Sequence, residues 1–180
     1  MIRRSGFTLA EVLITLVIIG VIAAMTIPTL MNNTNSQEYR TGIKKAISML
    51  NQAITMQYAL DGTQISDFST STPAELRDLV FAKRLNVINT TNGAIGPEAG
   101  LQIFYTADGM KFGIAPRTTA NCAADGTTTC FPIYIDVNGD KKPNLKTTLS
   151  SKPLDIYTGM IYSQRVVPHD AATQGVMFDQ

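Results

Sequence analysis

Few side chains in this sequence have types and spacings suited to chemistry. Glu11 is the sole charged residue between Phe7 and Pro28. A carboxylate near a bilayer centre costs about 2.5–3.5 kcal/mol and less toward the edge, so it needs a partner or a task. Cys122 and Cys130 flank seven small or polar residues. That spacing suits neither a zinc knuckle nor a redox Cys-x-x-Cys. Asp136, Asn138 and Asp140 put oxygen side chains at alternate positions, as a calcium loop begins, because hard cations take several oxygens from one tight turn. The glycine of such a loop would come two positions after Gly139, and Thr147 stands where its twelfth-position acid belongs. Asn138-Gly139 is also a turn signal in its own right. The segment therefore reads as a strand-end turn, with calcium as the alternative. His169 is the lone histidine, between Pro168 and Asp170. No Gly-x-Ser-x-Gly, phosphate-binding loop or metal-type histidine pair accompanies it. The chain reads as a non-enzyme without a cofactor, His169 as a surface residue, and a tethered hydrolase using His169 as the weakest alternative.

The elements that position these groups start with the apolar run. A helix over the 22 residues 7–28 would be about 33 Å long, enough to cross a hydrocarbon core of roughly 30 Å. Arg3 and Arg4 precede it, which places the N-terminus in the cytoplasm and the C-terminal bulk outside. Two blander readings share that orientation. One is an ordinary secretion signal ending at Ile22-Ala23-Ala24, although its apolar core would be shorter and free of acid. The other is a plain anchor with an incidental glutamate. Gly20 and Pro28 are weak points of the helix, and Pro28 predicts a bend.

The stretch Gly6-Phe7-Thr8-Leu9-Ala10-Glu11-Val12-Leu13-Ile14 resembles the processing signal of type IV pilins and type II secretion pseudopilins. The resemblance covers about the first 60 residues. It implies a leader of residues 1–6, cleavage between Gly6 and Phe7 by a prepilin peptidase, and N-methylation of Phe7 by the same enzyme. It implies that Glu11 pairs with the N-terminal amine of a neighbouring subunit during assembly. It also implies that the helix between Gly20 and Pro28 can melt in a filament. The implied partners are other pilin or pseudopilin subunits, the peptidase, an inner-membrane assembly platform, and lipid before assembly. The implied location is the bacterial inner membrane, with the leader cytoplasmic and the head extracytoplasmic, and then a periplasmic or cell-surface filament. Secretion pseudopilin is the first choice within the family, because the head is compact and lacks an extended C-terminal disulfide region. The alternative is an extracytoplasmic binding module on a permanent anchor.

Beyond Asn32-Asn33 the pattern turns amphipathic. Tyr39, Ile43, Ile47, Leu50, Ile54 and Tyr58 recur at spacings of three and four, with Ala46 and Ala53 on the same stripe. Asp61-Gly62 is a stop. One nearly continuous helix over 7–61 is expected, about 80 Å long, with 7–28 in the membrane or filament core and residues 62–180 as the head. In the head, Thr72-Pro73-Ala74-Glu75 is a capping box opening a short helix to about Arg84, with Leu76, Leu79 and Val80 inward. Strands are expected over 101–106 and 110–115, joined at Ala107-Asp108-Gly109, then over 131–137 and 157–167, the last with a bend near Ser163-Gln164. Residues 67–72 and 89–100 read as loops. The fold class is α+β, a long helix against a small antiparallel sheet. Outside the cytoplasm two cysteines invite a disulfide, about 2.5 kcal/mol on the chain-entropy estimate, with two free thiols as the alternative. Arg3 and Arg4 are two of 15 basic side chains, against 14 acidic ones, and the head has no basic run. A nucleic-acid surface is not indicated.

Overall fold

The computed structural model describes residues 6–68, 72–116, 122–123, 125–128, 130–146 and 154–178. Arg3, Arg4 and Thr147 lie outside the described residues. The first element, α1, runs Leu9–Asp61 without interruption, through Gly20 and Pro28, and ends where Gly62 turns left-handed and donates its N–H to the Tyr58 carbonyl. Its 53 residues give a rod of about 80 Å. Among the described residues the head packs on the second half. There Tyr39, Ile43, Ala46, Ile47, Leu50, Ala53 and Ile54 are buried. The stripe ends differently from its expected course: Tyr58 is 56% exposed and Gln57 is the buried residue of that turn. From Ile54, spacings of three and four both continue a helical stripe. Gln57 takes the inward place because Asp61, Thr63 and Arg84 all engage its amide.

After a short 3-10 turn, Ile65–Phe68, the chain enters α2 (Pro73–Leu76), which continues through a π-turn (Arg77–Phe81) into α3 (Ala82–Arg84). Thr72 and Glu75 form the capping box that starts it. Leu76 and Val80 point inward as expected, but Leu79 is 42% exposed and Phe81 is buried instead. The π-turn adds a residue to the helical cycle and shifts the stripe.

The sheet is a six-stranded antiparallel meander in chain order: β1 (Val87–Ile95), β2 (Glu98–Thr106), β3 (Lys111–Ile114), β4 (Phe131–Asp136), β5 (Ile156–Ile161) and β6 (Val166–Pro168). A final helix, α4 (Ala171–Phe178), follows. Register builds the core. Phe104, Phe112, Ile135 and Tyr157 sit side by side across β2–β5, all in the cluster shared with α1. Phe81 stacks on Phe104 (5.6 Å) and Phe104 on Phe112 (4.9 Å). Ile103 and Tyr134, one residue along, join Ile95, Leu101 and Ile156 in a second small cluster, as the two-residue period of strands requires.

Two expectations about the sheet are corrected. Residues 89–100 are not a loop but most of β1, a turn at Gly96 and the start of β2. Residues 157–167 are not one bent strand: the chain reverses near Ser163-Gln164, so β5 and β6 pair antiparallel. The α4 helix has no counterpart in the sequence reading.

Candidate functional site

Gly6 and Phe7 precede α1 and are not helical, so the peptide bond between them lies in exposed chain; Phe7 is 89% exposed. Thr8 is the N-cap, with extended backbone (φ −82°, ψ 152°). Its N–H and its hydroxyl both donate to Glu11 Oε2, at 2.8 and 2.9 Å, and the Glu11 N–H donates to Thr8 Oγ1 at 3.3 Å. This reciprocal box satisfies two otherwise unpaired groups at the helix start. It also sets a carboxylate at the positive end of the helix dipole. Glu11 therefore has a partner within its own chain. Thr8 is a site residue that the sequence reading did not single out, although Thr8-x-x-Glu11 is the same pattern as Thr72-x-x-Glu75.

From Leu9 to Met31 every large apolar side chain of α1 is exposed, and the most apolar window of the helix has none of its residues buried. The hydroxyls there are closed off internally. Thr15, Thr26 and Thr29 donate to the carbonyls of Val12, Ile22 and Met25. Polar groups satisfied within their own helix are what a hydrocarbon surrounding demands.

The second candidate region lies after β4. Asp136 and Asp155 are both buried. Asp155 accepts from the backbone N–H of Asn144 (2.7 Å) and Leu145 (2.5 Å) and from Asn138 Nδ2 (3.1 Å). Asn138 Nδ2 also donates to the Tyr39 hydroxyl on α1. Asp136 accepts from the Asn138 N–H and, with the Asn144 amide turned to suit its neighbours, from that side chain at 3.1 Å. Burial first, and the Asp155 carboxylate second, push the Asp136 acid up to about 7. Asp140 is spent elsewhere: it pairs with Lys111 at 2.7 Å, which holds its carboxyl below the usual range. Among the described residues, no three His, Cys, Asp or Glu side chains are grouped to hold a metal ion. Asn138 Oδ1 is a buried oxygen with no partner. As arranged, the cluster is a hydrogen-bonded knot that ties the loop after β4 to α1.

Cys122 and Cys130 are bonded to each other, with Cα atoms 4.6 Å apart. The Cys130 N–H donates to the Ile161 carbonyl and fixes that end of the loop to β5. His169 is exposed, two residues before α4 begins.

With this geometry in view, residues 1–27 match the family described as the prokaryotic N-terminal methylation motif. The N-terminus carries that motif. The chain is 28% identical to type II secretion system core protein G of Aeromonas hydrophila over 93 residues, covering 46% of this chain and 65% of that one. It is 36% identical to the protein of the same name from Pectobacterium carotovorum subsp. carotovorum over 62 residues, covering 34% and 38%. Each match thus spans less than two thirds of the relative's length. No solved structure matches. The chain is homologous to these pseudopilins, and its long helix on an antiparallel sheet is a pilin-like architecture.

Proposed function

We propose that this chain is a structural subunit of a pseudopilus-type filament. It is cut between Gly6 and Phe7 by a prepilin peptidase, methylated on the Phe7 nitrogen, and assembled through the first half of α1. The observation that carries this reading is the register of three features: an exposed, non-helical Gly6–Phe7 bond, the Thr8–Glu11 box, and an uncovered apolar helix beginning at Leu9. Before assembly that helix lies in the inner membrane, with the leader cytoplasmic and the head outside. During assembly sister helices replace lipid, and the platform and other pseudopilins receive it.

In this reading Glu11 exchanges partners. Cleavage leaves an ammonium on Phe7. A neighbouring copy's ammonium, brought to Glu11 in a low dielectric, binds far more strongly than the Thr8 hydroxyl does. Gly20 and Pro28 supply the helix with places to bend as it packs. The head is a non-enzymatic exterior, His169 included, and the 136–140 turn is structural, with no resident cofactor.

Mass spectrometry of the chain recovered from cells with an active peptidase tests the reading. A mature chain starting at methylated Phe7 is expected. A chain that keeps Met1 would overturn it and support the permanent anchor instead.

A further inference from the structure

The two edges of the sheet are finished differently. At one end β6 has three residues and closes with Pro168. The Val166 N–H donates to Asn51 Oδ1 at 2.7 Å, and the Val166 carbonyl accepts from Asn51 Nδ2 at 3.3 Å. The Asn51 amide thus occupies the place a further strand would take. At the other end β1 has nine residues, no charged side chain and no proline, and is bonded to β2 alone among the described residues. Thr90 and Thr91 face the buried Phe104 and Ile103 across the ladder, yet both are exposed, as are Asn89, Asn92 and Ile88 (66%). Irregular register at 87/89 and 93/95 frames a regular run from Asn89 to Gly93. Proteins protect open edges by shortness, proline, lysine or a covering element. The β6 edge uses three of these devices, whereas among the described residues β1 has only its two irregularities.

We propose that β1 is a docking edge for a second copy of this chain, joined β1 to β1 in antiparallel pairing across a two-fold axis. The chemistry that completes a bare row of N–H and C=O groups is another extended backbone. Like can meet like here because the strand carries no charge to repel its twin. The sealed β6 edge closes the pairing at two copies. This inference rests on the membrane reading of α1 in one respect: anchoring supplies the high effective concentration that a five-residue contact needs. A two-fold contact has no place among subunits of one polar helical filament, so it belongs to the membrane pool before assembly.

Symmetry fixes a testable detail. Facing residues in a sheet point to the same side, so a two-fold must pass through a residue that faces its own counterpart. Thr90 and Thr91 are the central choices. Facing Cα atoms lie roughly 4.5–5.5 Å apart, within disulfide reach.

The experiment places single cysteines at positions 89, 90, 91 and 92 of the full chain in membranes, followed by mild oxidation, with Thr41→Cys on the exposed face of α1 as control. The expected result is a disulfide-linked dimer peaking at Thr90→Cys or Thr91→Cys, roughly tenfold above the control. Adding Asn89→Lys at the exposed edge should cut that yield severalfold while circular dichroism stays unchanged. Yields equal to the control, yields indifferent to the lysine, or cross-links to another protein in place of the dimer would each overturn the proposal. A missing dimer alongside a mature Phe7 terminus would leave the filament reading intact, so the two failures are distinguishable.

Discussion

At the scale of single residues, the proposed function rests most heavily on Thr8 and Glu11. Glu11 is held at 2.8 and 2.9 Å by the N–H and hydroxyl of Thr8, so under the proposed function its charge has a partner before assembly and insertion should need no neighbour. Assembly is then the step that should depend on it. Glu11→Ala is expected to insert and to be cut normally but to enter filaments poorly, read as mature monomer accumulating in the membrane with little sheared filament. Normal filament yield would contradict this. Thr8→Val removes the hydroxyl side of the box and should cost the helix start about 1 kcal/mol. Hydrogen exchange of the amides from Leu9 to Val12 in detergent should then quicken by a factor of roughly five. Unchanged exchange would mean that Thr8 does not cap. Much of this site is legible from residue types alone, since one acid in an apolar run demands explanation. The cap is written there as well, but a reading that starts from the charge of Glu11 passes over the threonine that satisfies it.

At the scale of elements, legibility follows burial. The second half of α1 could be read because one face is covered and the apolar residues recur with the helical period. The strands β2 to β4 could be read because their buried aromatics and isoleucines are bounded by turn residues. The β1 strand could not, because neither face of Asn89–Asn92 is covered, so no alternation is imposed and Asn and Gly are poor strand formers. The three residues of β6 are too short to show a period, and α4 buries only Thr173. One contact between elements is set by a missing side chain. A Cβ at Gly42 would lie 3.1 Å from Val137 Cβ, so α1 crosses the end of β4 at glycine distance. Alanine there gains about 1 kcal/mol of helix propensity to set against a small clash. Leucine has no such offset, and Gly42→Leu should lower head stability by about 1–3 kcal/mol. A thermal melt checks it, and an unchanged melting temperature would mean that the crossing is loose.

At the scale of the whole molecule, the chain is a bare apolar rod joined to a head with its own core, and the joint is polar. Tyr39, about two turns past Met31, accepts from Asn138 Nδ2, which also donates to Asp155. Among the described residues neither buried acid, Asp136 or Asp155, makes an ion pair, which makes this joint sensitive to protons. An unfolded aspartate releases its proton near 3.9, whereas the folded Asp136 keeps its proton up to about 7. Between those values the native state binds a proton that the unfolded chain has lost, so this contribution to stability falls as pH rises. It is fully present below about 4 and is gone above about 7. Asp140 and Asp108, whose carboxyls are held low by Lys111 and Lys45, act in the opposite direction and lose their contributions only in acid. The difference between wild type and Asp136→Asn isolates the one effect from the others, because asparagine keeps the oxygen that accepts from the Asn138 N–H. The variant should match wild type near pH 4 and exceed it at pH 8 by an amount on the order of a few kcal/mol. Denaturant melts of the full chain in detergent at several pH values measure the gap. A gap that stays constant with pH would mean that Asp136 is already ionised at neutrality and that the joint holds both charges at once.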